Sequence, residues 1–130
     1  MGLEMVKRIL IVDDDEVTRW SLAKLLTRAG HIVLEAATGA EASQMALEGS
    51  PDFVFLDLRL PDADSLSLLD MIRAFTPGLS VVLMGSHLPR EARLRVLRSG
   101  ALCCLEKPIT PVLVTVLLSH GEAAVEPGDQ

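Results

Sequence analysis

The sequence predicts an α/β fold, five β/α units wound into one parallel sheet with helices on both faces. Three observations carry that expectation. Short apolar runs alternate with helical patterns five times along the chain, the rhythm of strands joined by crossover helices. The runs are continuous, as in Ile9-Leu10-Ile11-Val12, Phe53-Val54-Phe55-Leu56 and Val81-Val82-Leu83-Met84, which suits strands buried on both faces. Charged residues follow the runs: Asp13 and Asp14 after the first, Asp57 after the third and Lys107 shortly after Cys103-Cys104-Leu105.

Strand one covers Arg8 to Val12. Helix one runs from about Glu16 to Ala29, where Leu22, Leu25, Leu26 and Ala29 recur at helical spacing. Gly30 suits the left-handed position after its end. Strand two is His31 to Ala36. Thr38 with Glu41 forms a capping box for helix two, which ends near Gly49. Pro51-Asp52 leads into strand three, Phe53 to Leu56. The loop from Arg59 to Asp64 follows, and Ser65 or Asp64 caps helix three, which continues through Phe75. Thr76-Pro77-Gly78 turns the chain into strand four, Ser80 to Met84. Helix four spans about Arg90 to Ser99 and is closed by Gly100. Strand five is Cys103 to Leu105. Thr110 and Pro111 are the cap and first residue of helix five, which fades near His120. The expected domain is therefore residues 1–120, with 121–130 a flexible tail or the start of a linker.

A chain of 130 residues has room for one domain with a real core. Its 49% hydrophobic and 23% charged content is that of a globular protein. With one Trp, three Phe and no Tyr, the core must be aliphatic. A net charge of −6 argues against direct nucleic-acid binding, which needs a basic surface. No apolar run approaches the ~20 residues of a membrane span, and no signal-peptide core is separable from strand one. Adjacent Cys103 and Cys104 point to opposite faces of a strand, so they read as reduced thiols of a cytoplasmic protein.

In open α/β sheets the ligand sits beyond the carboxyl ends of the strands, where the strand order reverses. Asp13, Asp14 and Asp57 converge there if strands one and three are neighbours. Clustered carboxylates repel and raise one another's pKa. Mg²⁺ (or Mn²⁺), which prefers oxygen ligands, relieves that repulsion. Asp57 then becomes a nucleophile whose acyl-phosphate product is held by the metal on one side and Lys107 on the other. Aspartates at such junctions also cap helices, and Asp15 fits that plainer role. His31, His87 and His120 lack ligand-like spacing, though His87 lies where it can tune the access of water.

These motifs together resemble a response-regulator receiver domain of bacterial two-component systems. The matching pieces are Ile9 to Asp14, the Arg19…Leu22…Leu26…Gly30 pattern, Pro51 to Asp57, Pro61-Asp62-Ala63-Asp64, Ser99-Gly100-Ala101 and Lys107-Pro108. Arg19-Trp20 and Met84-Gly85-Ser86-His87 add a fainter likeness to receivers of sigma-54-dependent activators. The resemblance implies a flavodoxin-like sheet in the order 2-1-3-4-5 and a cis Lys107-Pro108 bond. It implies Asp57 as acceptor of a phosphoryl group from a sensor histidine kinase. Mg²⁺ would be held by Asp14, Asp57 and the Arg59 carbonyl, with Asp13 helping through water, and Lys107 would hold the phosphoryl oxygens. Any activity of its own is at most self-phosphorylation from phosphodonors and autodephosphorylation.

Two departures bear on signalling. Gly85 stands where receivers carry Thr or Ser, removing a hydroxyl worth about 1–3 kcal/mol to a charged partner. Ser86 is adjacent but aimed elsewhere by strand alternation, leaving its backbone N–H as donor. Cys104 stands where the family has Tyr or Phe, too small to report movement of strand four. Ser65 replaces a usual Gly. Helix five is apolar nearly all round, which points to a contact through the helix 4–strand 5–helix 5 face, such as a homodimer, or to a helix tucked against the sheet. Arg90, Arg93, Arg95 and Arg98 read as a solvated face. Two rival functions stay open. One is a phosphorylation-independent interaction module. The other is a phosphatase of the haloacid-dehalogenase type, which Asp13-Asp14-Asp15-Glu16-Val17 also resembles, with Asp13 as nucleophile and Asp15 as acid/base.

Overall fold

Continuous apolar strands need cover on both faces, and the computed structural model, which describes residues 6–120, provides it. Strands β1 (Arg8–Val12), β2 (Ile32–Ala36), β3 (Phe53–Asp57), β4 (Ser80–Gly85) and β5 (Cys103–Glu106) alternate with helices α1 (Glu16–Arg28), α2 (Gly39–Gly49), α3 (Ser65–Phe75), α4 (Arg90–Arg98) and α5 (Pro111–His120). All strands are parallel, in the order β2-β1-β3-β4-β5. This is the expected flavodoxin-like sheet, with its reversal between β1 and β3. The expected tail, residues 121–130, lies outside the described residues. No described helix is long and apolar enough to cross a membrane.

Alternation along the strands divides the core in two. Leu10, Val12, Val54, Leu56, Val81 and Leu83 pack on one face against Leu68, Leu69 and Ile72 of α3, Ala42 and Ala46 of α2, and Val96 of α4. Ile9, Ile11, Phe53, Phe55, Val82 and Met84 pack on the other against Leu22 and Leu26 of α1 and Val114 and Leu117 of α5. Cys103 belongs to the second layer and Cys104 packs on the first, so the two thiols do face apart. Helix five is only half buried: Val112 and Val116 stand exposed.

The ends of the elements show where local reading stops. Strands β3, β4 and β5 each run one residue beyond the apolar stretch, because Asp57 pairs in register with Met84 and Gly85 with Glu106. Asp57 is therefore a strand residue, held by the ladder itself. Helix α1 is capped at its C-terminus by Ala29, with Gly30 left-handed at φ +96°, as expected. Helix α2 ends at Gly49 as expected, and the residue after it, Ser50, is left-handed at φ 46°. Gly49 is helical and buried, and a Cβ there would collide with Leu34.

Thr38 Oγ1 accepts from the Glu41 N–H at 3.1 Å, while the Glu41 carboxylate accepts from Ala37, one residue before the cap. For α3 the cap is Asp64, which accepts from the Ser67 N–H at 3.0 Å and its hydroxyl at 2.8 Å. Thr110 caps α5 through the Leu113 N–H at 3.3 Å.

Candidate functional site

The strand order brings Asp13, Asp57 and Lys107 to one end of the sheet. Asp13 follows β1, Asp57 ends β3, and Lys107 follows β5 with its N–H tied to the Gly85 carbonyl at 2.8 Å. The Lys107 ammonium lies 2.7 Å from Asp13 Oδ2 and 3.0 Å from Asp57 Oδ2. The other oxygens are held by backbone. Asp13 Oδ1 accepts from the Asp15 N–H at 2.9 Å, and Asp57 Oδ1 from the Arg59 N–H at 3.0 Å. Asp13 is fully buried and Asp57 5% exposed. Two acids in so small a space need Lys107, because an unpaired buried charge is costly.

Asp14 is exposed, and its carboxylate comes within 4.8 Å of those of Asp13 and Asp57. Asp13 Oδ2 is buried and, though close to Lys107, takes no well-directed hydrogen bond. Three carboxylates facing one ammonium leave the cluster short of positive charge. Oxygen donors of this kind fit a hard divalent cation such as Mg²⁺.

Burial pushes the Asp57 carboxyl above the usual carboxylate range. The Arg59 N–H and Lys107 oppose that rise, and the Asp13 charge adds to it. For Lys107, burial pulls the ammonium down, but its close contacts with the Asp13 and Asp57 carboxylates outweigh it and leave its pKa raised.

The remaining predicted residues border this centre. Gly85, Ser86 and His87 line a cleft of about 270 Å³ together with Arg59, Ser65 and Arg95. Ser86 and His87 are exposed. Cys104 lies within β5, half-buried and opposite Leu83 of β4. Lys107-Pro108 is cis, as expected. Asp15 occupies the N-cap position of α1, where its carboxylate accepts from the Thr18 hydroxyl, which lowers its pKa. The four arginines of α4 are exposed, and Arg93 also donates to the Leu88 carbonyl at 3.1 Å.

Asp62, Ser65 and Arg19 support the site through contacts that no local pattern encodes. Asp62 reaches the N-terminus of α2, accepting from Gly39 at 2.7 Å and Ala40 at 3.1 Å, which lowers its pKa. It ties the loop after Asp57 to a helix of the neighbouring unit. Ser65 is buried and donates to the Asp57 carbonyl at 2.5 Å, so the hydroxyl at this position braces the end of β3. Arg19 donates to the Asp13 carbonyl at 2.7 Å and pairs with Glu35.

The sequence profile of the response regulator receiver domain matches residues 9–118. The chain belongs to this family. The receiver is similar to the DNA-binding transcriptional regulator NtrC of Escherichia coli (strain K12), at 32% identity over 123 residues. That match covers 92% of this chain and 26% of NtrC, so the chain spans about a quarter of that relative's length. A likeness to NtrC accords with the expectation of an activator-type receiver. Among solved structures, the CheY-like receiver domain protein of Methanospirillum hungatei JF-1 superposes with TM-score 0.84 at 28% identity, covering 89% of this chain and 93% of that one. A response regulator of Burkholderia pseudomallei, described with a phosphorylated aspartic acid, calcium ion and citrate, superposes with TM-score 0.80 at 26% identity. It covers 90% of this receiver and 71% of that chain.

Proposed function

We propose that this receiver accepts a phosphoryl group on Asp57 from the phosphohistidine of a sensor histidine kinase. The observation that carries the reading is the Lys107 ammonium held between Asp13 and Asp57 at 2.7 and 3.0 Å. An Asp57 carboxylate oxygen attacks phosphorus, the phosphorus–nitrogen bond of the donor breaks, and the electron pair leaves with the imidazole. Lys107 keeps hold of negative charge as it passes from the carboxylate to the phosphoryl oxygens. Asp13, Asp14, Asp57 and the Arg59 carbonyl are the groups to hold Mg²⁺, which supplies further neutralisation of the transferring group. Turning the Asp57 carboxylate into an acyl phosphate moves the negative charge onto phosphoryl oxygens that meet Lys107. Exposed Ser86 follows buried Gly85 at the end of β4, and the Ser86 N–H is the donor proposed to replace the missing hydroxyl.

The test is incubation of the whole chain with a small phosphodonor and Mg²⁺, followed by intact mass. The reading expects one added phosphoryl group, absent after Asp57→Asn. Turnover of a phosphate ester that survives Asp57→Asn and disappears with Asp13→Asn would instead favour a phosphatase. We extend the proposal to a second copy of the chain meeting the α4–β5–α5 face, where Leu94, Leu97, Val112 and Val116 stand exposed. Light scattering that shows one monomeric mass with and without phosphodonor would remove that part.

A further inference from the structure

The loop after β4 is anchored at Leu88 in three directions. The side chain is 5% exposed and lies over Gly85, where an added Cβ would meet Leu88 Cδ2 at 2.8 Å and Leu58 Cδ1 at 3.7 Å. The Leu88 N–H donates to the Glu106 carboxylate at 3.4 Å, and its carbonyl accepts from Arg93 Nε at 3.1 Å. Glu106 ends β5 and adjoins Lys107, whose own N–H reaches back to the Gly85 carbonyl at 2.8 Å. One residue therefore touches the end of β4, the end of β5 and the first turns of α4.

A β-carbon at residue 85 and Leu88 in its present place exclude each other. The space next to residue 85 that a side chain would enter is filled by the aliphatic carbons of Leu88 and Leu58. Helix α4 itself is lightly held, with Val96 its buried residue. Its position therefore depends strongly on the loop that enters it.

We propose that Leu88 is the positioning residue that couples the end of β4 to α4 in this receiver, in place of a hydroxyl on residue 85. This rests on the reading of Asp57 as acceptor. When a phosphoryl group draws on Lys107, the Lys107–Gly85 backbone bond and the neighbouring Glu106 shift together. Leu88, packed on one and bonded to the other, carries that shift to Arg93 and the start of α4.

The experiment has two arms on the whole chain. A double-mutant cycle of Gly85→Ala and Leu88→Ala reads unfolding equilibria in urea. The single changes overfill and empty the same space, so the double variant should unfold at least about fivefold less readily than the product of the single effects predicts. The second arm follows amide exchange of residues 90–98 with and without a small phosphodonor and Mg²⁺, with intact mass read in parallel. Leu88→Ala should take phosphate as the parent does, yet lose about threefold or more of the α4 response. Leu88→Met, which keeps the apolar contact, should retain it. Additive stabilities, or a full α4 response in Leu88→Ala, would overturn the proposal. If the parent itself takes no phosphate, the reading of Asp57 fails by mass, and the stability cycle decides for or against Leu88 alone.

Discussion

Replacing Lys107 by Met keeps the length of the side chain and removes the charge that Asp13 and Asp57 share at 2.7 and 3.0 Å. Both carboxylates are almost wholly buried, and breaking such a pair typically destabilises a protein by about 3–5 kcal/mol. The site has a cheaper escape, which is to protonate one acid. For a carboxyl with an ordinary pKa near 3.9, that costs about 4 kcal/mol at pH 7 and about 1.5 kcal/mol at pH 5. Lys107→Met should therefore lose about 3–4 kcal/mol at pH 7, against roughly 1–2 kcal/mol at pH 5. Mg²⁺ should recover part of the loss at pH 7, because it supplies positive charge to the same oxygens. Urea unfolding at both pH values, with EDTA or millimolar Mg²⁺, measures all of this. A loss that is equal at pH 5 and pH 7 and indifferent to Mg²⁺ would show that Lys107 acts by packing, and the electrostatic reasoning would fall.

Three further outcomes follow from the same structure. Because burial raises the Asp57 pKa, the native state binds its proton more tightly than the unfolded chain does. Stability contributed by the neutral form is complete below the unfolded pKa, declines as pH rises through the raised folded pKa, and is gone above it. Asp57→Asn should thus raise the thermal midpoint at pH 7 without Mg²⁺, with the advantage shrinking toward pH 4; no gain at pH 7 would contradict it. Asp62→Ala removes two acceptor contacts at the start of α2 and should lower the urea midpoint, with faster amide exchange at Gly39 and Ala40. Ser50 holds a left-handed backbone at φ 46°, so Ser50→Gly should stabilise by about 0.5–1 kcal/mol in urea unfolding.

Most of the fold and the centre of the site were legible because their causes are local. Strands covered on both faces announce themselves as unbroken apolar runs, and the acids at their ends needed only the sheet order to converge. Caps such as Thr38 and Thr110 act within three residues. What escaped is what depends on chain segments far apart. Asp62 finds its partners 22 and 23 residues away, and Gly49 is small because Leu34 packs over it. Arg73 closes α4 by bonding the Gly100 carbonyl at 2.7 Å, 27 residues distant. Gly85 was legible as a missing hydroxyl, while Leu88 filling its space was not, since no pattern in β4 or its loop encodes that contact.

The most direct test of the central claim is to locate the phosphate. The receiver is treated with a small phosphodonor and Mg²⁺, cleaved, and mapped by tandem mass spectrometry under conditions that preserve acyl phosphates. Asp57 and no other residue should carry the modification. Phosphate found on Asp13, Asp14 or a histidine, with Asp57 unmodified, would contradict it.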